Sequence, residues 1–274
     1  PKKDKAFFKK KINYSKVFFI DEESLINFKD FKKISNKYLK KTSYYKEIQS
    51  RLSWYYQQIL KITFVINFIK DKKKNIIIWD ADTILIAKII FFKKNFSNYY
   101  GTTSYFHKAY YITNSYILGN QPKYFISSLS QFISITPKEV NYLIKKLSKK
   151  RKKFGNTGVW LTHIIMQGIT SVHSKYNGSL FSEYELIGIS NYMLNRTKQT
   201  ALFTLRNGLD GKLTKAQVVL ASILNVKHVT YEHSHLNKNS QGMLKRNQKW
   251  GRFLRILSKE FTKFHMRNLK HNFK

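Results

Sequence analysis

The sequence predicts an α/β fold, in which a mostly parallel sheet is flanked by helices and followed by a basic, mostly helical C-terminal tail. The chain has 274 residues, and 42% of them are hydrophobic, which is enough to bury the core of one large domain. Short apolar runs alternate with a long stretch at helical spacing, and the order strand, helix, strand is typical of parallel sheets with helical crossovers. We therefore expect one domain over residues 1–235 and the tail over residues 236–274.

The first half of the chain contains the clearest strand and helix signals. The apolar and aromatic run Lys16–Asp21 predicts a buried strand, and a helix-like stretch follows from Glu23. The segment RLSWYYQQILKITFVINFI, which begins at Arg51, contains no Gly or Pro and predicts a helix packed on the sheet. The apolar triplet Ile76–Ile78 follows a polar turn and predicts a strand that is covered on both faces. Since the opening PKKDKAFFKKK contains no Met, we expect a preceding strand to be missing.

The middle of the chain has weaker signals until a proline begins the next helix. Residues Phe91–Ser134 are rich in tyrosine and predict loops and short strands. Pro137 suits the first turn of a helix, where a missing N–H costs nothing, and Thr136 is the expected N-cap. This helix runs into the basic segment Lys145–Lys153. That segment is either a solvated helix end or a patch that binds an anionic partner.

Charge and cysteine content restrict the classes of partner and metal site. Lys and Arg number 51 against 15 Asp and Glu, which gives a formal net charge of +36. This balance favours RNA, DNA, an anionic membrane surface or a phosphate-bearing substrate, although an AT-rich coding sequence would produce a similar composition. The absence of cysteine excludes disulfides and thiolate ligands, so any metal is bound by oxygen and imidazole.

The rare acidic residues are clustered, and one cluster directly follows a predicted strand. Asp80 and Asp82 are separated by one residue, so both carboxylates can reach one hard cation, Mn²⁺ or Mg²⁺, together with diphosphate oxygens. The alternative is a pair of loop or capping aspartates. His233 and His235 alternate as strand neighbours do. Either one supplies a late imidazole ligand, or both are exposed strand residues.

Several strings occur together in an order that resembles a known family. They are RLSWYYQQILKI, NIIIWDADTILI, SYFHKAYY and SLFSEYELIGISNYM, in that sequence along the chain. Over roughly Val17–Met193 this pattern is similar to a bacterial family of glycosyltransferase-like proteins of GT-A type. In that family a Trp-Tyr-x-Gln-Gln-x-x-Lys helix precedes a strand ending in Asp-Ala-Asp-Thr, and Tyr-x-His and Phe-Ser-Glu-Tyr-Glu segments follow. The chain departs from the family at Thr136, where the family carries a histidine.

The resemblance implies a role for each matching residue. Asp80 and Asp82 would bind the metal and the diphosphate of a nucleotide-sugar donor. Glu183 or Glu185 would be the general base if the reaction inverts configuration, because that step needs a carboxylate beside the acceptor hydroxyl. The other implied site residues are Gln57, Gln58, Lys61 and Tyr105 at the donor pocket, His107 in catalysis, and Ser182 and Tyr184 beside the acceptor or sugar.

Two functional hypotheses follow from these patterns. The first is metal-dependent transfer of a sugar from a nucleotide-sugar donor to a glycan, lipid-linked or surface-polysaccharide acceptor, by a cytoplasmic protein that is peripheral at the inner membrane face. The second is a non-enzymatic RNA-binding protein, such as a ribosomal protein of the mitochondrial matrix. The charge of +36 and the interleaved aromatic residues favour RNA. The acidic motifs favour the transferase, because a phosphate-binding surface gains nothing from clustered carboxylates.

Overall fold

The computed structural model divides the chain into two compact units, and each unit combines segments that are distant in sequence. Residues 1–74, 108–121 and 140–186 form the first unit, and residues 75–107, 122–139 and 187–274 form the second. The structure describes residues 7, 10, 12, 17–72, 74–93, 96–98, 100–101, 107–119, 127–150, 155–172, 178–195, 200–206, 213–230, 251, 253–262 and 265. The chain is a mixed α/β protein.

Helices account for most of the described backbone. They are α1 (Phe28–Leu39), α2 (Tyr45–Gln49), α3 (Leu52–Lys72), α4 (Lys108–Leu118), α5 (Pro137–Ser148), α6 (Thr157–Thr170), α7 (Glu183–Asn195) and α8 (Lys215–Ile223). In the part of the chain that the structure describes, no helix is long and apolar enough to cross a lipid bilayer.

In the first unit, α6 packs against α1, α3 and α4. Helix α1 buries Phe31, Ser35 and Leu39, which recur every four residues and therefore lie on one face. Its N-cap Asn27 accepts a hydrogen bond from the Lys29 N–H at 2.8 Å, which satisfies a backbone group that the first turn leaves unpaired. Helix α6 begins at a similar cap, because the Asn156 side chain accepts from the Val159 N–H at 3.0 Å.

The strands of the second unit form small sheets of both orientations. Their bounds are β1 (Ile76–Trp79), β2 (Thr83–Leu85), β3 (Phe92–Lys93), β4 (Phe96–Ser97), β5 (Tyr100–Gly101), β6 (Phe132–Ile135), β7 (Thr200–Ala201), β8 (Leu205–Arg206) and β9 (His228–Thr230). Strand β1 pairs antiparallel with β6, and β9 lies between β2 and β8, antiparallel to the first and parallel to the second. The pairs β3–β4 and β5–β7 are antiparallel and parallel, respectively.

An extended, mostly parallel sheet is therefore not found among the described strands. Only residues 80–82 separate β1 from β2, and a crossover between parallel strands needs a dozen or more residues. The partner of β1 is instead β6, with Ile76 opposite Ile135 and Trp79 opposite Phe132. The prediction that β1 is covered on both faces is also wrong, because the Ile77 side chain is 39% exposed.

Two further predictions about secondary structure are wrong. Residues 17–20 form no strand, and the Phe18 side chain is 85% exposed, so the apolar run contributes no core face. Asp21 instead caps a 3₁₀ turn at Glu22–Ser24, which leads toward α1. In the tyrosine-rich middle the short strands β3 to β5 are present, but Lys108–Leu118 is helix α4, which buries seven of its eleven residues. Burial within the first unit outweighs its weak local signal.

The C-terminal helical residues belong to the core of the second unit. Phe253 and Leu257 are buried in one apolar cluster with residues of β8, α8 and β9. Residues 253–262 are helical, as the sequence predicts for this region. The described part of the tail is therefore packed on the second unit through one face. The boundary at residue 235 lies outside the described residues and stays a prediction.

Candidate functional site

The strongest candidate site is the turn between β1 and β2, which carries Asp80 and Asp82. Asp80 is half-buried and Asp82 is exposed. The Thr83 N–H donates to the Asp80 carbonyl at 3.0 Å and closes the turn. The Trp79 indole Nε1–H donates to the Thr83 carbonyl at 2.9 Å from inside the same turn. Asp80 directly follows β1, as predicted, whereas Asp82 directly precedes β2.

Gln131 holds the Asp80 backbone from the neighbouring strand. Its carbonyl accepts the Asp80 N–H at 3.0 Å, and its φ of 63° lies in the left-handed region. The left-handed conformation costs a residue with a Cβ about 1 kcal/mol or more. Strain of this kind is concentrated at functional sites. Gln131 directly precedes β6, whose antiparallel pairing with β1 brings it to Asp80. Nothing in the local sequence signals this conformation.

A chain of side-chain contacts leads from Asp82 to a buried histidine. The Thr83 hydroxyl donates to Asp82 Oδ1 at 3.3 Å and lies 3.1 Å from the Thr230 hydroxyl. The Thr230 hydroxyl lies 3.5 Å from His228 Nδ1, at the limit of hydrogen-bond distance. His228 is 1% exposed and meets the Phe132 ring edge-on at 5.5 Å. The antiparallel pairing of β2 and β9 aligns these residues.

His228 is thus connected to the aspartate turn through two threonines. The sequence pointed to His233 or His235, which both lie outside the described residues. The run His228–Thr230 forms β9 and is buried at all three positions. Threonine and histidine within a buried strand need hydrogen-bond partners, and the aspartate turn supplies part of them.

The sequence predicts that this turn binds a divalent cation together with a diphosphate. Among the described residues, no group of three or more His, Cys, Asp or Glu is placed to hold a metal ion. Mg²⁺ and similar hard cations are commonly bound through one or two carboxylates plus substrate phosphates. Binding of a cation and a diphosphate by Asp80 and Asp82 therefore stays a prediction.

A second constellation, within the first unit, joins α3 to the start of α7. Lys61 Nζ lies 2.7 Å from Glu183 Oε1 and 4.8 Å from the centre of the Tyr184 ring. Gln58 Oε1 accepts the Glu183 N–H at 3.1 Å. Glu183 and Glu185 are both buried, with 3% of each residue exposed. The ion pair and the hydrogen bond from its N–H therefore tie the start of α7 to α3 at Glu183.

The same face of α3 also holds the segment that leads into α7. Arg51 donates to the Ser179 hydroxyl, and the Tyr55 hydroxyl donates to the Gly178 carbonyl while it accepts the Leu180 N–H at 2.9 Å. Burial raises the pKa of the Tyr55 hydroxyl far above its ordinary value. Arg51, Tyr55, Gln58 and Lys61 recur every three or four residues, so they form one stripe along the helix. Gln57 is exposed.

The structure gives less information about the remaining predicted site residues. His107 is partly exposed and directly precedes α4. Tyr105 lies outside the described residues. Ser182 is 1% exposed, and its carbonyl accepts from Asn114 Nδ2 at 3.0 Å.

In the basic segment Lys145–Lys153, residues 151–153 are outside the described part. Lys150 donates to the Tyr116 carbonyl, and burial lowers the pKa of its ammonium.

Glu139 is a buried carboxylate that the sequence analysis did not single out. It is 0% exposed and accepts from Ser97 Oγ at 2.5 Å, Asn195 Nδ2 at 2.6 Å and the Thr136 N–H at 2.8 Å. The signal was present, because Thr-Pro-Lys-Glu is a capping box, and the predicted N-cap Thr136 is confirmed by the Glu139 N–H at 3.3 Å. This carboxylate joins β4 to the ends of two helices and has a structural role.

A cavity in the second unit lies beside β6. It is lined by Asn98, Tyr100, Ser130, Phe132, Ile133, Ser134 and Asn191. The Asn191 side chain is 1% exposed, and neither its Oδ1 nor its Nδ2 has a hydrogen-bond partner among the described residues. The space accommodates about one water molecule. A nucleotide sugar therefore does not fit this cavity.

Comparison with known proteins adds no relative. No protein-family model, no curated protein and no solved structure matches this chain. The likeness to GT-A glycosyltransferase-like proteins thus rests on the ordered motifs in the sequence, and it stays a prediction.

Proposed function

We propose that this chain is a GT-A-like, metal-dependent transferase that moves a sugar from a nucleotide-sugar donor to a glycan, lipid-linked or surface-polysaccharide acceptor. The observation that carries the proposal is the turn at Asp80 and Asp82, whose backbone is held by Gln131, Thr83 and Trp79. Two carboxylates on a fixed turn suit a cation that is shared with a diphosphate.

The chemical logic is that the leaving diphosphate develops the largest charge of the reaction. A Mn²⁺ or Mg²⁺ ion bound by Asp80 and Asp82 would neutralise that charge. Thr83 would orient the Asp82 carboxylate, since its hydroxyl donates to Oδ1. The excess of positive charge over the chain would raise the local concentration of an anionic donor. We place this activity in the cytoplasm, at the inner face of the membrane.

The test must separate metal-dependent binding from attraction to lysines. A protein of net charge +36 binds any diphosphate to some extent, so the informative quantity is the increase in affinity that Mn²⁺ produces. Calorimetry with UDP, GDP and CDP at near-physiological salt measures it. We expect Mn²⁺ to strengthen binding of one nucleotide, and we expect Asp82→Asn to weaken that binding about tenfold or more, because a charge-assisted ligand is lost.

The matched control is Asp30→Asn, which removes an exposed carboxylate from α1 in the first unit. It makes the same change in net charge and should leave the Mn²⁺-dependent affinity unchanged. If wild-type protein binds none of the three nucleotides more tightly with Mn²⁺, or if both variants behave alike, the transferase proposal fails.

The second candidate is binding of RNA in the mitochondrial matrix, without catalysis. The observation that favours it is the polar face of α1, where Lys29, Lys32, Lys33 and Lys37 are exposed. Lysines spaced along one helix face suit contacts to successive phosphates. A nanomolar affinity for structured RNA that falls steeply with salt, together with no Mn²⁺-dependent nucleotide binding, would support this function in place of the first.

A further inference from the structure

Helix α8 exposes apolar side chains on the face that points away from the core. Gln217 and Ala221 are buried. Val219 is 57% exposed and Ile223 is 74% exposed, and Val218 beside them is 36% exposed. An amphipathic helix of a globular protein normally places polar residues on this outer face. The outer face of α8 is therefore built for contact with something other than water.

The helical residues 253–262 share a core with α8 and carry exposed apolar side chains on one flank. Phe253 and Leu257 are buried in the same apolar cluster that contains Ala221 of α8. Beside this buried face, Leu254 is 47% exposed, and Phe261 is 41% exposed although its ring contacts the core residue Phe203 at 5.7 Å. Both helices thus anchor one face in a shared core of the second unit, and each also carries large apolar side chains that are partly exposed.

Cations accompany the exposed apolar residues on both helices. Lys215, Arg255 and Lys259 are exposed, while Glu260 is the single acid in residues 253–262 and is only partly exposed. Helix α8 contains no acidic residue. Positive charge beside aliphatic side chains is the composition of helices that lie in the interface of an anionic bilayer.

We propose that α8 and helical residues 253–262 dock this protein on a lipid surface that contains anionic phospholipids. Val219, Ile223 and Leu254 would enter the boundary between headgroups and acyl chains, while Lys215 and Lys259 contact lipid phosphates. The mode is adsorption onto the surface, because none of the described helices is long and apolar enough to span the membrane.

The chemistry of the two faces favours lipid over the other occupants. RNA offers phosphates to the lysines, but base stacking uses aromatic or arginine planes, and Val, Ile and Leu contribute nothing to it. A second copy of the chain would bring together two molecules of net charge +36, which repel each other. An anionic bilayer satisfies the cations and the aliphatic side chains together.

The test is co-sedimentation with vesicles of phosphatidylcholine, with or without about one third phosphatidylserine. We expect binding to the anionic vesicles and little to the neutral ones. The double variant Val219→Ser, Ile223→Ser should lower the partition coefficient about tenfold or more, because two large apolar side chains are lost from the interface.

The matched control is the double variant Phe18→Ser, Ile20→Ser. It removes two apolar side chains of comparable exposure from the first unit, outside any helix or strand, and should bind like wild type. Circular dichroism checks that both variants keep their helix content. Because the chain contains no cysteine, Ile223→Cys provides a single thiol to which an environment-sensitive dye can be attached. The emission of this dye should shift to the blue on anionic vesicles.

Any one of the following results would overturn the proposal. The first is equal vesicle binding by wild type and the Val219, Ile223 double variant. The second is no shift in the emission of the dye at position 223. The third is transfer of wild-type protein from anionic vesicles to structured RNA when both are offered at near-physiological salt, or a stable dimer by sedimentation that excludes vesicles.

Discussion

Lys61 and Glu183 are 122 positions apart, and their ion pair connects two motifs that look independent in the sequence. The Lys61 side chain is 28% exposed, whereas that of Glu183 is only 4% exposed. The carboxylate has therefore lost more of its hydration than the ammonium, and it needs the ion pair more to stay charged. Gln58 adds a hydrogen bond to the Glu183 N–H. The Gln-Gln-x-x-Lys and Ser-Glu-Tyr-Glu strings therefore contact each other in the folded chain.

A double-mutant cycle tests this contact at the scale of the residue. Lys61→Met should lower the free energy of unfolding by about 3 kcal/mol, because it leaves a buried carboxylate without its cation. Glu183→Gln in the same background should cost less than it does in wild type, by about 1 kcal/mol or more. Urea unfolding measures all four proteins. Lys32→Met, an exposed cation of α1, is the control and should change stability by about 0.5 kcal/mol or less.

Additive effects in this cycle would show that the two side chains do not interact. If the coupling is present and nucleotide binding at Asp82 is unaffected by Lys61→Met, the pair is purely structural. The predicted donor-pocket role of Lys61 would then be wrong.

At the scale of the element, helix α6 approaches the segment before α1 through a glycine. A Cβ on Gly158 would lie 2.6 Å from Ile26 Cβ and 2.7 Å from the Leu25 carbonyl oxygen, and the backbone atom has little room to move. Gly158→Ala should therefore lower the free energy of unfolding by about 2 kcal/mol, although alanine is the better helix former.

The control for this prediction is Gly251→Ala. An added Cβ there has no neighbour within 4 Å, so only the gain in helix propensity remains. Thermal unfolding compares the two variants with wild type. A Gly158→Ala protein at least as stable as wild type would mean that α6 and residues 25–26 are packed less closely than the structure has them.

At the scale of the whole molecule, repulsion among the excess cations lowers the stability of the folded state, and salt screens this repulsion. With 51 cationic and 15 anionic side chains, the compact state brings like charges together. Raising NaCl from about 20 mM to about 200 mM shortens the Debye length from roughly 20 Å to 7 Å. We expect the unfolding temperature to rise by about 3 °C or more, as measured by calorimetry.

Acetylation of lysines provides the control for this effect. It removes positive charge, so the dependence of the unfolding temperature on salt should become flatter as modification proceeds. An unfolding temperature that does not change with salt in the unmodified protein would show that the cations are spaced too widely to repel one another. The excess of lysine would then reflect composition and not a constraint on folding.

The local sequence determined several elements of this protein. The uninterrupted run after Arg51 predicted α3, and Thr136 with Pro137 predicted the start of α5. The triplet Ile76–Ile78 predicted β1 and so placed Asp80 and Asp82 at the end of a strand. Each of these signals lies within one turn or one strand, because caps, helix periodicity and strand propensity depend on near neighbours.

Tertiary structure alone decided the strand partners and the surroundings of the aspartates. The antiparallel pairing of β1 with β6 brings Gln131, in a left-handed conformation, to the Asp80 N–H. The pairing of β2 with β9 brings Thr230 to Thr83, and β9 also carries His228. These contacts join residues that are about 50 to 150 positions apart. Closing such loops costs conformational entropy, and only the packing of the complete unit offsets it. For that reason no local pattern contained them.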